Sequence, residues 1–434
     1  MPVADPARAA APGPARPDRR PTGGPAPVLG RAARLRDRLR AELLVAAPAL
    51  TTYLALRFFG IAVLAAWAHL KGAPAAGQLL GGDWDSVWYR GIAAHGYAHA
   101  IPPPDHHGRR DCNLAFFPLL PLGMKLLTGL TGLPLGVSGV VLAMLGGLVA
   151  AWALYLIGRL LHGPRTGLVL VVLWASLPMA VVENMAYTEA PFTALAAWSL
   201  YAVLRGRRLT AGALSLLAGL TRPTGAAIAA AVVVAAGTAL VRERGRDRGR
   251  PRGQGPDGER PGSNGRRAAR TWRIVAAAAL APLGWLGYLA WVGVRLGSPG
   301  GYFAVQRAYG STWDGGRGAL HAAKMVLITS KPLMYYVVTL VLVAAAALFV
   351  VCVLRRQPLP LLVYSGVLLL ITYGGAGFYT SKARFLIPAF PLLLPVARAL
   401  ARMRTSTAAA MLVPLVLGSA WFGGHLVLVW PYAP

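Results

Sequence analysis

Two carboxylates, Asp83 and Asp85, stand two positions apart in a polar, aromatic-rich segment of an otherwise apolar chain, GDWDSVWYRGIAAHGY. Paired carboxylates of this kind suit a general base or the ligands of a divalent cation. They also suit the N-terminus of a helix, because the residues that follow show helical apolar spacing. Both interpretations stay open at this point, and one aspartate can cap the helix while the other takes part in chemistry.

The same polar segment continues with further histidines and aspartates, which raises the question of a metal site. Their spacing is irregular, and residues 102–108 have the composition of a turn. No spacing typical of a Cys/His zinc site occurs in the chain. We therefore predict no metal site here and keep a divalent cation as an open alternative. The residues concerned are His95, His99, Asp105, His106, His107 and Asp111.

Three further groups of ionisable residues lie at the boundaries of apolar runs. Glu183 and Glu189 flank NMAYT, Arg222 lies in LTRPTG, and Lys382 and Arg384 lie in YTSKARFLIPAFP. Charged residues within membrane segments are costly, and they often mark functional sites. Long basic side chains can instead reach from a helix end to the membrane interface. All three groups are predicted on the side of the membrane that carries Asp85, and this convergence favours a single site there.

These residues are placed among apolar runs long enough to cross a bilayer. Of 434 residues, 56% are hydrophobic and only 14% are charged, whereas a soluble domain carries about a quarter charged residues. Runs of roughly 20 apolar residues predict an all-α, polytopic membrane protein and argue against a membrane barrel. We predict about eleven transmembrane helices, near residues 43–68, 134–161, 166–183, 189–205, 209–221, 224–241, 273–295, 333–354, 359–378, 385–401 and 407–430.

The basic residues predict the orientation of these helices. The net charge is +29, and alternate loops are rich in arginine, as expected of cytoplasmic loops and of attraction to anionic membrane lipids. No aromatic-interleaved nucleic-acid module is present, so we predict no nucleic-acid partner. The N-terminus is therefore predicted to be cytoplasmic and the Asp85 segment extracytoplasmic, in a multi-pass protein of the cell membrane.

The same patterns divide the chain into a tail and a membrane domain. We predict a disordered basic cytoplasmic tail over residues 1–41 and a transmembrane domain over 42–434. Within this domain, 69–133 is predicted as a large first outer loop with interfacial helices. Residues 242–272 form a predicted Arg-rich cytoplasmic linker, and 296–332 a further outer loop.

Together these residues resemble the PIG-V-type mannosyltransferases, a family of the GT-C class of membrane glycosyltransferases. The resemblance runs in the family's order over about residues 50–400 and is most specific in the first loop. The Arg-rich insert and the basic tail depart from the family pattern. The matching residues are Trp84-Asp85-Ser86, Trp88-Tyr89, Ile92-Ala93, Gly96-Tyr97, Asn113-Leu114-Ala115-Phe116-Phe117-Pro118, Tyr187-Thr188-Glu189, Arg222 with Gly225, and Arg384-Phe385 with Pro388 and Pro391.

The resemblance implies a GT-C-like fold and an enzyme that uses a polyprenyl-phosphate-mannose donor lipid and inverts the sugar carbon. The high content of Ala, Gly, Pro and Arg is associated with a bacterial source. Asp85 matches the general base, and Asp83 is the second choice. The acceptor, whether a glycolipid, a glycan or a protein, stays open. We further expect Arg222, Arg384 and Lys382 to bind the donor phosphate. We expect the sugar or acceptor to contact Trp84, Trp88, Tyr89, Asn113 and Glu189.

Other functions remain alternatives from the sequence. A related transferase of another polyprenyl-phosphate sugar would show the same pattern, because sugar choice rests on a few hydroxyl contacts. A transporter often shows internal repeats and charges at the bilayer midplane, whereas this chain shows no repeat and carries its candidate charges at one face. A non-catalytic protein that kept the fold is the third alternative, and the combination of Asp85, Arg222 and Arg384 argues against it.

Overall fold

A computed structural model describes residues 28–105, 110–248 and 263–433. It divides into residues up to Val45 and residues from Ala46 onward; the described part of the first unit, 28–45, is the beginning of one long helix. The described ranges are almost entirely helical. Their α-helices are α1 (Val28–Leu70), α2 (Ala76–Gly82), α3 (Asp85–His95), α4 (Leu119–Thr131), α5 (Leu135–His162), α6 (Pro164–Ala175), α7 (Glu189–Leu204), α8 (Arg208–Gly219), α9 (Gly225–Arg248), α10 (Ser263–Arg295), α11 (Gly301–Ala308), α12 (Arg317–Ile328), α13 (Leu333–Leu354), α14 (Leu359–Gly374), α15 (Lys382–Phe385), α16 (Leu394–Arg402) and α17 (Thr405–Leu428).

Six of the described helices are long and apolar enough to cross a membrane: α1, α5, α9, α10, α13 and α17. A seventh span results if α15 and α16, with the short helical turns before them, form one segment bent by 75°. The prediction of an all-α, multi-pass membrane protein is thus confirmed, whereas the number eleven is not. Helices α6, α7, α8 and α14 have only 12 to 16 residues, less than the roughly 20 that a span needs.

The segments predicted as loops contain helical structure. Residues 69–133 include α2, α3 and α4, with a short 3₁₀ turn at Asn113–Ala115. Helix α1 begins within the predicted tail, and α9 and α10 extend into both ends of the predicted Arg-rich linker. Residues 1–27 of the tail and 249–262 of the linker lie outside the described residues.

A two-stranded antiparallel ribbon joins the outer loop predicted at 296–332 to the end of α14. Strand β1 (Thr312–Trp313) pairs with β2 (Gly375–Ala376), with Thr312 opposite Ala376. Both Asp314 carboxylate oxygens accept backbone N–H groups, from Gly316 at 2.8 Å and Gly318 at 2.6 Å. These bonds, that of Gly318 first, lower the pKa of the Asp314 carboxyl. The loop is thereby held against the segment that leads into α15.

Small residues let the membrane helices approach closely. Helix α8 packs extensively against α10, and a Cβ on the buried Gly284 would come within 3.0 Å of two backbone atoms of Leu216 on α8. Gly81 and Gly136 meet in the same way and bring α2 against the start of α5. Close backbone contact through glycine is typical of helix packing in membranes, where van der Waals contact drives association. These contacts set the positions of the helix ends that carry the ionisable residues.

This packing predicts that alanine substitution at two glycines of α10 has very different effects on the free energy of unfolding. Gly284→Ala inserts a methyl group into the α8 backbone, so we expect a loss of about 1–3 kcal/mol, as for other overpacked sites. Gly287→Ala is the matched control, because nothing lies within 4 Å of its added Cβ and alanine favours the helix. Thermal unfolding of the detergent-solubilised protein measures both. Equal midpoints for the two variants would contradict the close approach of α8 and α10.

Candidate active site

Asp85 is the first residue of α3 and follows a sharp break in the backbone. Trp84, between α2 and α3, has φ 50° and ψ −120°, a conformation that costs energy for a residue with a side chain. The helix cap is Trp84, which makes no side-chain capping bond. The backbone N–H of Asp85 donates to the Tyr187 hydroxyl oxygen at 3.2 Å. Asp85 is therefore not the N-cap residue of α3.

A buried chain of alternating charges connects three distant parts of the sequence. Arg384 Nη1 donates to Asp85 Oδ2 at 2.8 Å, and Arg384 Nε lies 3.3 Å from Glu189 Oε1. Arg222 Nη1 lies 2.9 Å from the same Glu189 oxygen. The side chains are 2% (Glu189) to 19% (Asp85) exposed. Glu189 therefore holds two arginines together, and one of them binds Asp85.

Helix ends and turns supply all of these groups. Glu189 opens α7, and Arg222 lies in the turn between α8 and α9, where Pro223 interrupts the helices. Arg384 lies in the four-residue helix α15. Its guanidinium lies over the Tyr187 ring, with 5.1 Å from the Cζ atom to the ring centroid. Breaks in helices thus bring charged side chains to one place, where neighbouring elements supply their partners.

The two arginines keep hydrogen-bonding capacity despite their ion pairs. Arg222 Nη1 and Arg384 Nε are buried, and neither makes a hydrogen bond of acceptable geometry. Each lies near Glu189, but the N–H groups are not aligned with its oxygen. Buried donors without an acceptor are costly. A ligand oxygen that accepts from them would remove this cost.

Lys382 is buried beside them and is bound to the backbone. Its Nζ donates to the carbonyl oxygens of Thr372 at 2.5 Å and Gly375 at 2.6 Å. An ammonium group has three donors, so these two bonds leave one donor for a ligand. Lys382 therefore contributes a positive charge whose position is set by the end of α14.

One cavity of about 260 Å³ brings these groups together. Its wall includes both carboxylates and all three cations, with a formal sum of +3 − 2 = +1. Aromatic rings form much of the remainder, and Tyr89 is fixed by a 3.2 Å contact between its hydroxyl and Thr188 Oγ1. The size is close to the lower end for small-molecule sites. The charged, polar and aromatic lining residues include Asp85, Tyr89, Phe116, Glu189, Arg222, Gln306, Tyr309, Phe378, Lys382 and Arg384.

Four predicted site residues lie outside this lining. The Trp84 side chain packs against the main core. Trp88 stacks on Phe116, with ring centroids 5.7 Å apart, and so supports the wall from behind. Asp83 terminates α2; burial raises the pKa of its carboxyl, and the nearby Arg90 opposes this shift. The fourth residue, Asn113, is bound to the loop after α3.

Asn113 ties together the two ends of that loop. Its Oδ1 accepts the backbone N–H of Ala98 at 2.9 Å, and its Nδ2 donates to the Gly96 carbonyl oxygen at 3.1 Å. Arg295, at the end of α10, donates to the carbonyl oxygens of Ala98 and Tyr97 at 2.6 and 2.9 Å. In this structure the amide of Asn113 therefore orders the loop, and it is not among the lining residues of the cavity.

Glu183 belongs to a separate buried pair. Its Oε2 lies 3.6 Å from Arg57 Nη1 and accepts the Tyr53 hydroxyl at 3.2 Å. Both partners lie on α1, and neither was predicted from the sequence as a contact of Glu183. Arg57 could have been noticed, because an arginine inside an apolar run is unusual. Tyr309 and Phe378 line the cavity without any signal in the local sequence.

No group of three or more His, Cys, Asp or Glu side chains is arranged to hold a metal ion within the ranges 28–105, 110–248 and 263–433. Of the histidines in the first predicted loop, His106 and His107 lie outside these ranges. The cavity itself offers two carboxylates, Asp85 and Glu189, and both are paired with arginine.

The buried charge network predicts that Glu189 is essential to stability. Glu189→Gln removes the carboxylate that pairs with the buried Arg222 and leaves Arg384 with Asp85 alone, so we expect a loss of about 3–5 kcal/mol. Glu243→Gln is the control, because its partner Arg270 is 54% exposed and such pairs contribute about 0–1 kcal/mol. Thermal unfolding in detergent compares them. If both variants unfold at the same temperature, the network does not stabilise the fold.

Among the comparisons with known proteins, a family model matches part of the chain. The family model for dolichyl-phosphate-mannose-protein mannosyltransferase matches residues 117–247, a range that includes Glu189 and Arg222 but not Asp85 or Arg384. No curated protein sequence matches the chain significantly. A crystal structure of the Archaeoglobus fulgidus oligosaccharyltransferase with Zn and sulfate aligns with a TM-score of 0.38 and 16% identity. The alignment covers 78% of this chain and 48% of that one, so the chain spans about half its length. The family match supports a glycosyltransferase of the GT-C class in a multi-pass membrane protein.

Proposed function

We propose that this chain is an inverting mannosyltransferase that takes mannose from a polyprenyl-phosphate-mannose donor. The observation that carries the proposal is that Asp85 shares one cavity with Arg222, Arg384 and Lys382. A carboxylate beside several cations is what sugar transfer from a phosphate requires: a base for the acceptor and positive charge for the leaving group. The description of the family that matches residues 117–247 names a lipid-phosphate-mannose donor. The resemblance of Trp84-Asp85-Ser86 and Trp88-Tyr89 to the PIG-V-type enzymes concerns residues outside that range.

The donor phosphate would bind to the three cations. A phosphodiester carries one negative charge, which balances the formal +1 of the cavity wall. Arg222 Nη1 and Arg384 Nε are buried donors without an aligned acceptor, and phosphate oxygens would fill that role. When the bond from the sugar carbon to the phosphate oxygen breaks, its electron pair stays on the phosphate. The cations then stabilise the added negative charge.

Donor binding would also prepare the general base. In this structure Asp85 Oδ2 accepts from Arg384 Nη1 at 2.8 Å. A phosphate that draws this guanidinium toward itself weakens the ion pair, and the carboxylate becomes free to accept the proton of the acceptor hydroxyl. The hydroxyl oxygen then bonds to the anomeric carbon from the face opposite the phosphate, which inverts that carbon. The proton ends on Asp85 and the electron pair on the leaving phosphate.

The remaining predicted residues would shape the sugar subsite. Tyr89 and Glu189 line the cavity, and Phe116, Tyr309 and Phe378 add apolar surface for a sugar ring or an acceptor. Glu189 would also keep Arg222 and Arg384 in position. Trp88 and Asn113 would act indirectly, through the ring of Phe116 and the loop after α3. The acceptor class, whether a glycolipid, a glycan or a protein, is left to experiment.

The predicted orientation agrees with this proposal. Both predicted outer loops contribute to the cavity, 69–133 through Asp85 and 296–332 through Gln306 and Tyr309. A cavity at the outer face would place the sugar of a lipid donor at the membrane interface while its polyprenyl chain stays in the bilayer. The arginine-rich helix ends would then face the cytoplasm, as would the N-terminus.

The general-base assignment predicts different effects for the two aspartates. Asp85→Asn should lower mannosyl transfer at least about 100-fold, because general-base catalysis contributes that much or more. Asp83→Asn should keep most activity, since Asp83 does not line the cavity. Transfer of radiolabelled mannose from polyprenyl-phosphate-mannose is measured in membranes that contain equal amounts of each protein. Full activity of Asp85→Asn would exclude Asp85 as the general base. Activity of the unaltered protein only with another polyprenyl-phosphate sugar would favour a GT-C transferase of that sugar.

The phosphate-binding assignment predicts an effect on donor use. Arg222→Gln should raise the KM for the donor at least tenfold, which corresponds to about 1.4 kcal/mol, because a charged donor to phosphate is lost. Arg317→Gln removes the same charge from an exposed position of α12 that does not line the cavity, and it should leave the KM unchanged. Equal KM values for the two variants would show that Arg222 does not contact the donor phosphate.

A further inference from the structure

A second charged site lies at the opposite end of the helices that carry the candidate active site. Helix α5 begins beside α2, where Gly136 touches Gly81, and ends at His162. Its 28 residues correspond to a length of roughly 40 Å. Helix α14 likewise runs from Leu359, which follows Pro358 at this far end, to Gly374 near the cavity that contains Lys382. The two sites are therefore on different faces of the membrane domain.

Two adjacent cavities at this far end are surrounded by basic side chains. Their volumes are about 270 and 340 Å³, and they share Leu161, His162, Arg398 and Arg402. The first cavity also contacts Arg355 and Arg356, which follow α13. No aspartate or glutamate lines either cavity. We call the five basic residues His162, Arg355, Arg356, Arg398 and Arg402 the far-end cluster.

The far-end cluster has no acidic partner on the described residues. None of its arginines forms an ion pair with a carboxylate there, whereas Arg222 and Arg384 at the other face both do. Arg165, which lines the second cavity, is different because its Nη2 donates to the Met403 carbonyl oxygen at 2.7 Å. The cluster thus concentrates positive charge that no carboxylate within residues 28–105, 110–248 and 263–433 neutralises.

All four cluster arginines line the first cavity, and Arg355, Arg356 and Arg402 among them are exposed. Arg356 has φ 51°, an unfavourable conformation for a residue with a side chain. Gln357 Nε2 donates to the Pro391 carbonyl oxygen at 3.3 Å, while its Oε1 is buried without a hydrogen bond. Arg398 projects from α16 and is half-buried. The residues come from α5, the α13–α14 turn and α16, so the cluster is a convergence of three elements and not one row of interfacial arginines.

Exposed apolar side chains surround the cluster and favour an amphiphile as its ligand. Leu160 precedes the cluster on α5 and is 41% exposed, Leu354 ends α13 and is 75% exposed, and Leu359 begins α14 and is 46% exposed. Acyl chains can cover this surface in the bilayer, while phosphate oxygens accept from the arginines. A soluble anion would use only the charged part.

We propose that the far-end cluster binds the phosphate head group of an anionic phospholipid. Binding neutralises arginines that have no carboxylate partner among the described residues, and it covers the exposed leucines beside them. The proposal is independent of the transferase function, because none of the cluster residues lines the cavity that contains Asp85.

The test compares lipid binding by the purified full-length protein and a double variant, Arg398→Gln with Arg402→Gln. Native mass spectrometry in detergent counts retained phosphatidylglycerol, cardiolipin and phosphatidylcholine of matched acyl chains, and thermal unfolding with each lipid gives the shift in midpoint. We expect the anionic lipids to bind at least tenfold more tightly than phosphatidylcholine. The double variant should lose at least tenfold of that affinity and most of the shift, while binding phosphatidylcholine as before.

The matched control is Arg205→Gln with Arg207→Gln, which removes the same charge from exposed residues at the end of α7, outside both cavities. Equal losses in the two double variants would overturn the proposal, since general surface charge would then explain the binding. An equal midpoint shift with soluble pyrophosphate would also overturn it, in favour of a free phosphate ligand. If the double variant unfolds before measurement, Arg398→Gln and Arg398→Lys replace it, and only the lysine variant should keep the lipid.

Discussion

The arrangement of the candidate site depends on one buried guanidinium, that of Arg384. It donates to Asp85 on the first polar segment and lies beside Glu189 at the start of α7, while rings of Tyr187 and Phe385 cover its faces. A guanidinium cannot lose its charge at ordinary pH, so its burial requires carboxylates nearby. This requirement joins segments roughly 100 and 200 residues apart in sequence. Removal of one partner from such a network leaves a buried charge without its counter-charge, which is strongly destabilising.

The helices make this network possible by ending at the right places. Breaks before Asp85, Glu189, Gly225 and Lys382 leave charged residues at or near helix ends, where backbone groups need partners. Glycine contacts between α8 and α10 and between α2 and α5 keep those ends close. The short helices α6, α7, α8 and α14 contribute in the same way, because a helix that ends inside the protein can place a side chain in its interior. These helices are too short to span a bilayer, and many of their residues are buried against other parts of the protein.

The arginines at the two faces of the domain differ in whether they are paired with carboxylates. Around Asp85, arginines are buried and paired with carboxylates, so the cavity has a small formal charge despite its polarity. At the far end, arginines lie beside two cavities that no aspartate or glutamate of the described ranges lines. The first arrangement suits a reaction in which charge moves from one group to another. The second suits a stable ligand that carries its own negative charge, and the surrounding membrane supplies such ligands.

The sequence alone determined the class of architecture and most of the ionisable members of the candidate site. Apolar runs of bilayer length require a multi-pass helical protein, and polar residues at their boundaries stand out because they are expensive there. Asp85, Glu189, Arg222, Lys382 and Arg384 were identified in this way, and the structure brings them to one cavity. Local pattern could not give the number of spans, because an apolar helix of 12 or 16 residues and a full span have similar composition. Only the tertiary structure decided that Asp85 pairs with Arg384, that Glu183 turns away to Arg57, and that Asn113 orders a loop. Those outcomes depend on which helix ends meet, and the packing that brings them together joins residues far apart in the chain.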